Sequence, residues 1–156
     1  MNWEAISAVG EIVGASAVVV SLLYLAVQIR AQNKQARLSA LHEISIGFRE
    51  ATARFANEDI SDIFVRANED FDALSDAELH RLIVLTGGLF RAWEEAYIQH
   101  KEGHLGLGAW EAMARHYTNI MGAPAVQRVW ILRKANFDDD FQQYIDSINA
   151  PEYKLR

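Results

Sequence analysis

The sequence predicts an all-α protein in which one N-terminal transmembrane helix continues into a cytoplasmic helical bundle. Three observations carry this expectation. Residues Ile12 to Val27 (IVGASAVVVSLLYLAV) hold no charged side chain, and Arg30, Lys34 and Arg37 follow closely. No glycine or proline occurs between Ala15 and Ile46, so nothing breaks a helix that leaves the apolar run. Beyond it, apolar residues recur at three- and four-residue spacings between cap and turn signals, with no convincing strand pattern and no internal repeat. The expected division is a transmembrane anchor over residues 1–30 and a cytoplasmic helical domain over residues 31–156, whose first helix continues the anchor.

Composition narrows the classes. Of the 156 residues 51% are apolar and 23% charged, which excludes a disordered chain and allows one domain of ordinary size behind the anchor. The mean hydropathy of -0.06 averages an oily N-terminus and a polar remainder. The net charge is -6 and no basic stripe occurs, which argues against nucleic acid as a partner. With no cysteine, disulfides, thiolate metal sites and cysteine nucleophiles are excluded.

Three readings compete for residues 3–30. A cleaved signal peptide needs basic residues before its apolar run, but this chain opens Met1-Asn2-Trp3-Glu4 and carries its cations after the run. A buried core helix is the plainer alternative, because a run of about 16 residues falls short of the ~20 that span a bilayer. Counting outward from Ala5 to Ile29 gives about 25 residues, or roughly 37 Å of helix, which suffices if Glu11 is tolerated. Near an interface an acid costs less than the roughly 2.5–3.5 kcal/mol it costs at the bilayer centre. The nine Leu, Ile and Val residues of the run match or exceed that penalty. The membrane span is therefore the reading taken forward. By the positive-inside rule the cations place the C-terminal domain in the cytoplasm and the N-terminus outside, with Trp3 suited to the outer interface.

Within the anchor, Ser7, Gly10, Gly14, Ala17 and Ser21 recur at spacings of 3, 4, 3 and 4 and form a strip without side-chain bulk. In lipid, close backbone approach through small residues is a main source of helix association. A homo-oligomer joined along this seam is expected; incidental composition, or contact with an unidentified protein partner, would give the same residues. Glu11 lies beside the strip. It sits among headgroups in one reading, and in the other at an oligomer interface or a wet lumen, where a ring of carboxylates selects cations. The spacing runs on through Gln28, Ala31, Gln35, Leu38, His42 and Ser45.

In the cytoplasmic part, Leu38, Leu41, Ile44, Phe48, Thr52 and Phe55 keep a helical stripe to about Asn57, where Asn57-Glu58-Asp59 starts a short helix. Ser75-Asp76-Ala77-Glu78 is a capping box opening a helix that runs to about Lys101. Gly87-Gly88 in its middle marks a close crossing or a kink. Further helices are expected over Ala109–Met121, over Ala125–Lys134 behind Pro124, and from Asn136-Phe137-Asp138-Asp139 to about Asn149, with Pro151 as the stop. The total is a bundle of about five helices, counting the extension of the anchor as one.

Chemistry is sparse. No histidine has an acid three positions before it, and His-Glu-x-x-His is absent, so no metal site and no cofactor is indicated. His100 and His104 flank a helix end and read as loop histidines. The glycine-rich GHLGLG loop at 103–108 follows no strand and lacks the Lys-Ser/Thr ending of a phosphate loop. No Gly-x-Ser-x-Gly elbow occurs, and no catalytic residue is nominated. Arg91 and Glu95 are spaced as an exposed i, i+4 pair. Trp93, Glu94, Tyr97 and Trp110 are the candidate wall of a small-molecule pocket, although core packing explains the aromatics equally well.

The segments Trp3-Glu4-Ala5-Ile6, Gly10-Glu11-Ile12-Val13-Gly14-Ala15 and Ser21-Leu22-Leu23-Tyr24-Leu25-Ala26-Val27-Gln28-Ile29-Arg30 resemble a group of uncharacterised bacterial single-span membrane proteins with a small helical cytoplasmic domain. The later helices are similar in layout but less distinctive. The resemblance implies a bacterial inner membrane and brings no activity, cofactor or catalytic residue. The expected role is that of a homo-oligomeric membrane protein working by assembly or interaction, without turnover. An ion-conducting pore lined by the N-terminal helices is the first alternative; a ligand sensor or enzyme in the bundle is the second.

Overall fold

The computed structural model describes residues 2–154, and for Ala5 the backbone alone. It is all-helical: six α-helices and no strand occur among the described residues. They are α1 (Trp3–Phe55), α2 (Glu58–Glu69), α3 (Asp76–Lys101), α4 (Leu107–Met121), α5 (Pro124–Arg133) and α6 (Asp139–Asp146). The chain divides into two compact units, Met1–Leu38 and Ser39–Arg156, and α1 contributes to both.

The first unit is helix alone. Apart from Ala5, every side chain from Asn2 to Ser39 is exposed, including those of the uncharged run. From Ala15 to Ile46 the helix has no glycine or proline to interrupt it, and its backbone hydrogen bonds are met within the helix.

In the second unit, α3 packs against α2, α4 and α5, and α2 and α4 each also touch α5. The larger core cluster joins Ile44 of α1, Phe90, Trp93 and Ala96 of α3, Tyr117 of α4, Trp130 of α5 and Phe141 of α6. A smaller cluster joins Ile63 and Ala67 of α2 with Leu82, Ala125 and Val129. Burial of these aromatic and branched side chains is the main driving force of the unit, at ~25 cal/mol per Å² of apolar surface.

The helix ends follow local chemistry. Asn57 caps α2 by accepting a hydrogen bond from the Asp59 amide at 3.1 Å. At α3 the capping box is complete: Ser75 Oγ accepts from the Glu78 amide and Glu78 Oε2 accepts from the Ser75 amide at 2.9 Å. The other end of α3 closes through Gly103 at φ +75. There the His104 amide donates to the Gln99 carbonyl at 2.9 Å and the Gly103 amide to that of His100 at 3.0 Å, the two bonds of a Schellman turn. Pro124 sits in the first turn of α5, and the Ala125 amide is satisfied from another helix, by Asn68 Oδ1 at 3.1 Å.

Several expectations need correction. The long-helix glycines mark no close crossing: a Cβ on Gly87 or Gly88 would meet nothing within 4 Å, and α3 runs through them unbroken. Arg91 pairs with Glu94 at 2.6 Å, not with Glu95, because Glu94 is held in place by the amide of Asp138. α4 begins at Leu107, two residues before Ala109, with Gly106 at its N-cap. α6 stops at Asp146, short of Asn149, where Ser147 Oγ donates to the Tyr144 carbonyl at 2.6 Å and takes up a group the helix would have used. Two 3₁₀ turns, Phe71–Ala73 and Lys134–Asn136, were not expected. With the end of α1, the second unit holds six helical segments, one for each segment named from the sequence and one more than the total of about five.

Candidate functional site

The first candidate is the surface of α1. This helix is long and apolar enough to cross a membrane. Ser7, Gly10, Gly14, Ala17 and Ser21 lie along it and are all exposed. A Cβ on Gly10 or Gly14 would meet nothing within 4 Å, so the backbone is open to close approach at both positions. Ser21 Oγ donates to the Ala17 carbonyl at 2.8 Å. Its hydroxyl is thereby satisfied within the helix and does not penalise an apolar surrounding. Glu11 is exposed and one position beyond Gly10, about 100° further round the helix.

Tyr24 belongs to this surface too, and sequence reasoning passed over it. It stands between Ser21 and Gln28 at spacings of three and four, and Gln28 Nε2 donates to its hydroxyl at 2.9 Å. The pair joins the small-residue strip to the polar half that begins at Gln28.

Past the apolar run, Arg30, Lys34 and Arg37 are exposed and, with Asn33 and Leu38, border one shallow depression. Along the chain no acid occurs between Glu11 and Glu43, so none of the three cations has a carboxylate three or four positions away on its own helix.

The second candidate is the cluster of Trp93, Glu94, Tyr97 and Trp110. The structure does bring these residues together, but into packed core. Trp93 stacks on Tyr117 at 4.8 Å, and Tyr97 lies 5.9 Å from Trp110. The faces they turn toward α6 are filled by Phe141 and Tyr144, with Tyr144 stacked 4.9 Å from Tyr97 and 5.7 Å from Trp110. Both carboxylate oxygens of Glu94 are engaged within the protein: Oε1 accepts from the Asp138 amide at 2.7 Å and Oε2 from Arg91 at 2.6 Å. Glu94 thus anchors the start of α6. Burial pushes the Tyr117 phenol upward, and its hydroxyl is buried without a hydrogen-bond partner among the described residues.

A cavity of about 240 Å³ lies elsewhere in the second unit, lined by Thr52, Phe55, Ser61, Phe64, Val65, Leu89, Ile120 and Tyr153. Two of its hydroxyls are engaged by backbone carbonyls: Thr52 Oγ1 donates to that of Phe48 at 2.8 Å and Ser61 Oγ to that of Phe55 at 2.6 Å. Its lining holds no carboxylate, histidine, lysine or arginine, and Tyr153 is the one ionisable residue in it, so it suits an apolar group. The contributing residues come from α1, α2, α3, α4 and the C-terminal tail, a combination that no sequence window contains.

Among the described residues no group of three or more His, Cys, Asp or Glu side chains could hold a metal ion. His100 stacks on Trp110 at 4.9 Å, and His104 Nδ1 lies 3.1 Å from Gln99 Oε1. No protein-family model, curated protein or solved structure matches the chain.

Proposed function

We propose that α1 is the single membrane span of a bacterial inner-membrane protein, with the N-terminus outside and the unit from Ser39 onward in the cytoplasm. In this reading the protein works as a homo-oligomer, by assembly or interaction and not by turnover. The observation that carries it is the exposed apolar surface of α1, interrupted along one face by a strip where Gly10 and Gly14 have open space around them. An isolated apolar helix of this length has no stable place in water, whereas lipid satisfies its side chains and the helix satisfies its own backbone. Within lipid the strip then offers contact through backbone approach.

The test is native mass spectrometry of the full chain released from detergent. The parent is expected as an oligomer, and Gly10→Leu combined with Gly14→Leu as a smaller species, because two isobutyl groups hold the backbones apart. An oligomer unchanged by the double substitution removes the strip from the assembly. Flotation with liposomes tests the location separately: a chain that stays in the aqueous fraction removes the span.

A further inference from the structure

We infer that Arg30, Lys34 and Arg37 form a docking face for the phosphate headgroups of anionic phospholipids; this rests on α1 being a membrane span. With Arg30 set at zero, 100° per residue puts Lys34 at about 40° and Arg37 at about -20°, so the three share an arc of roughly 60°. Asn33, at about -60°, adds amide donors at the edge of the arc. The continuation of the strip lies elsewhere: Ala31, Gln35 and Leu38 fall at about 100°, 140° and 80°. The centres of the two faces lie about 100° apart and their nearest members, Lys34 and Leu38, about 40° apart, so a copy of the chain on the strip leaves Arg30 and Arg37 turned toward lipid, with Lys34 at the edge.

Depth agrees with the angle. Arg30 stands three residues past Val27, the last residue of the uncharged run. Lys34 and Arg37 follow it by about 6 Å and 10.5 Å of helix. Helical side chains tilt toward the helix N-terminus, which here is the side of the apolar run. Long basic side chains at both positions therefore reach back toward the headgroup layer that Arg30 already occupies. All three heads can meet phosphates of one leaflet.

Charge gives the partner its sign. On their own helix the three cations have no acid within reach. Residues 39–156 carry twelve Lys and Arg against nineteen Asp and Glu, a net -7 that anionic lipid repels. A face of three unneutralised cations directly after the span offsets that repulsion, at about fivefold in partition per cation.

The experiment places the full chain in nanodiscs of equal phosphatidylglycerol and phosphatidylcholine and counts the lipids retained by native mass spectrometry. The parent is expected to retain phosphatidylglycerol in at least tenfold preference, and Arg30→Gln, Lys34→Gln, Arg37→Gln together to lose that preference. Asn33→Glu, which leaves every cation in place but sets a carboxylate among them, is expected to weaken it, and Arg30→Lys with Arg37→Lys to keep it. Insertion without a preference in the parent, or a preference surviving the triple substitution, overturns the face. Failure to enter the nanodiscs overturns the membrane span itself and is recognised by the absence of any lipid adduct.

Discussion

Glu78 shows how many tasks one carboxylate at a helix start performs. Arg66 Nη2 donates to it at 2.5 Å from α2, and the Ser75 hydroxyl and amide donate to its other oxygen at 2.7 and 2.9 Å. The Arg66 hydrogen bond, followed by those of Ser75, holds its carboxyl down at about 2. A carboxyl lowered in the folded state stabilises that state when ionised. The contribution is fully present above the unfolded value near 4.5 and disappears as the pH falls toward about 2. The thermal midpoint of the parent is therefore expected to drop between about pH 5 and pH 2, and that of Glu78→Gln to drop less. Parallel midpoint curves for the two proteins would show that Glu78 is not linked to folding. The capping-box half of this arrangement was legible in Ser75-Asp76-Ala77-Glu78; the Arg66 half was not, because its residues lie twelve apart on different helices. Glu94 behaves alike: its partner at Asp138 is forty-four residues away, and that bond selects Arg91 as a second partner against the Glu95 expected from spacing.

The helices themselves were readable wherever the deciding residues are neighbours in sequence. Both ends of α3, the cap of α2, Pro124 and the stop at Gly122 all follow from local backbone chemistry. What glycines do at element boundaries depends on what lies across from them, and this the sequence does not contain. Gly122 closes α4 where the C-terminal tail passes: a Cβ there would stand 1.9 Å from the Pro151 carbonyl oxygen and 3.0 Å from the Tyr153 amide. Gly87 and Gly88 face open space. Opposite results are expected from the same substitution. Gly122→Ala should destabilise by about 1–3 kcal/mol, because rigid backbone has to move, and should release Tyr153 from its edge contact with Phe64. Gly87→Ala or Gly88→Ala should stabilise by roughly 0.5–1 kcal/mol, because alanine loses less entropy on entering a helix. Denaturant midpoints measure all three. A neutral Gly122→Ala would mean that the tail does not run against the α4–α5 turn.

At the scale of the whole chain the two units ask different things of a solvent. The first is a helix with its apolar side chains exposed throughout, and the second has a core of its own beginning at Ala40. That core draws on the end of α1 only through residues of the same unit, among them Ile44, Phe48 and Ala51. Hydropathy separates the two units in sequence, because the apolar run ends at Val27 and the periodic stripe returns at Leu38. The aromatic cluster and the apolar cavity could not be placed that way, since both are assembled from residues on helices distant in sequence. It follows that a chain beginning at Ser39 should melt cooperatively without detergent and sediment as a single species. The full chain should require detergent or lipid and associate. A detergent-free 39–156 fragment that is molten by near-ultraviolet circular dichroism would mean that the aromatic core depends on the preceding helix. Should the fragment associate to the same subunit number as the full chain, assembly would belong to the second unit, and the strip from Ser7 to Ser21 would have no part in it.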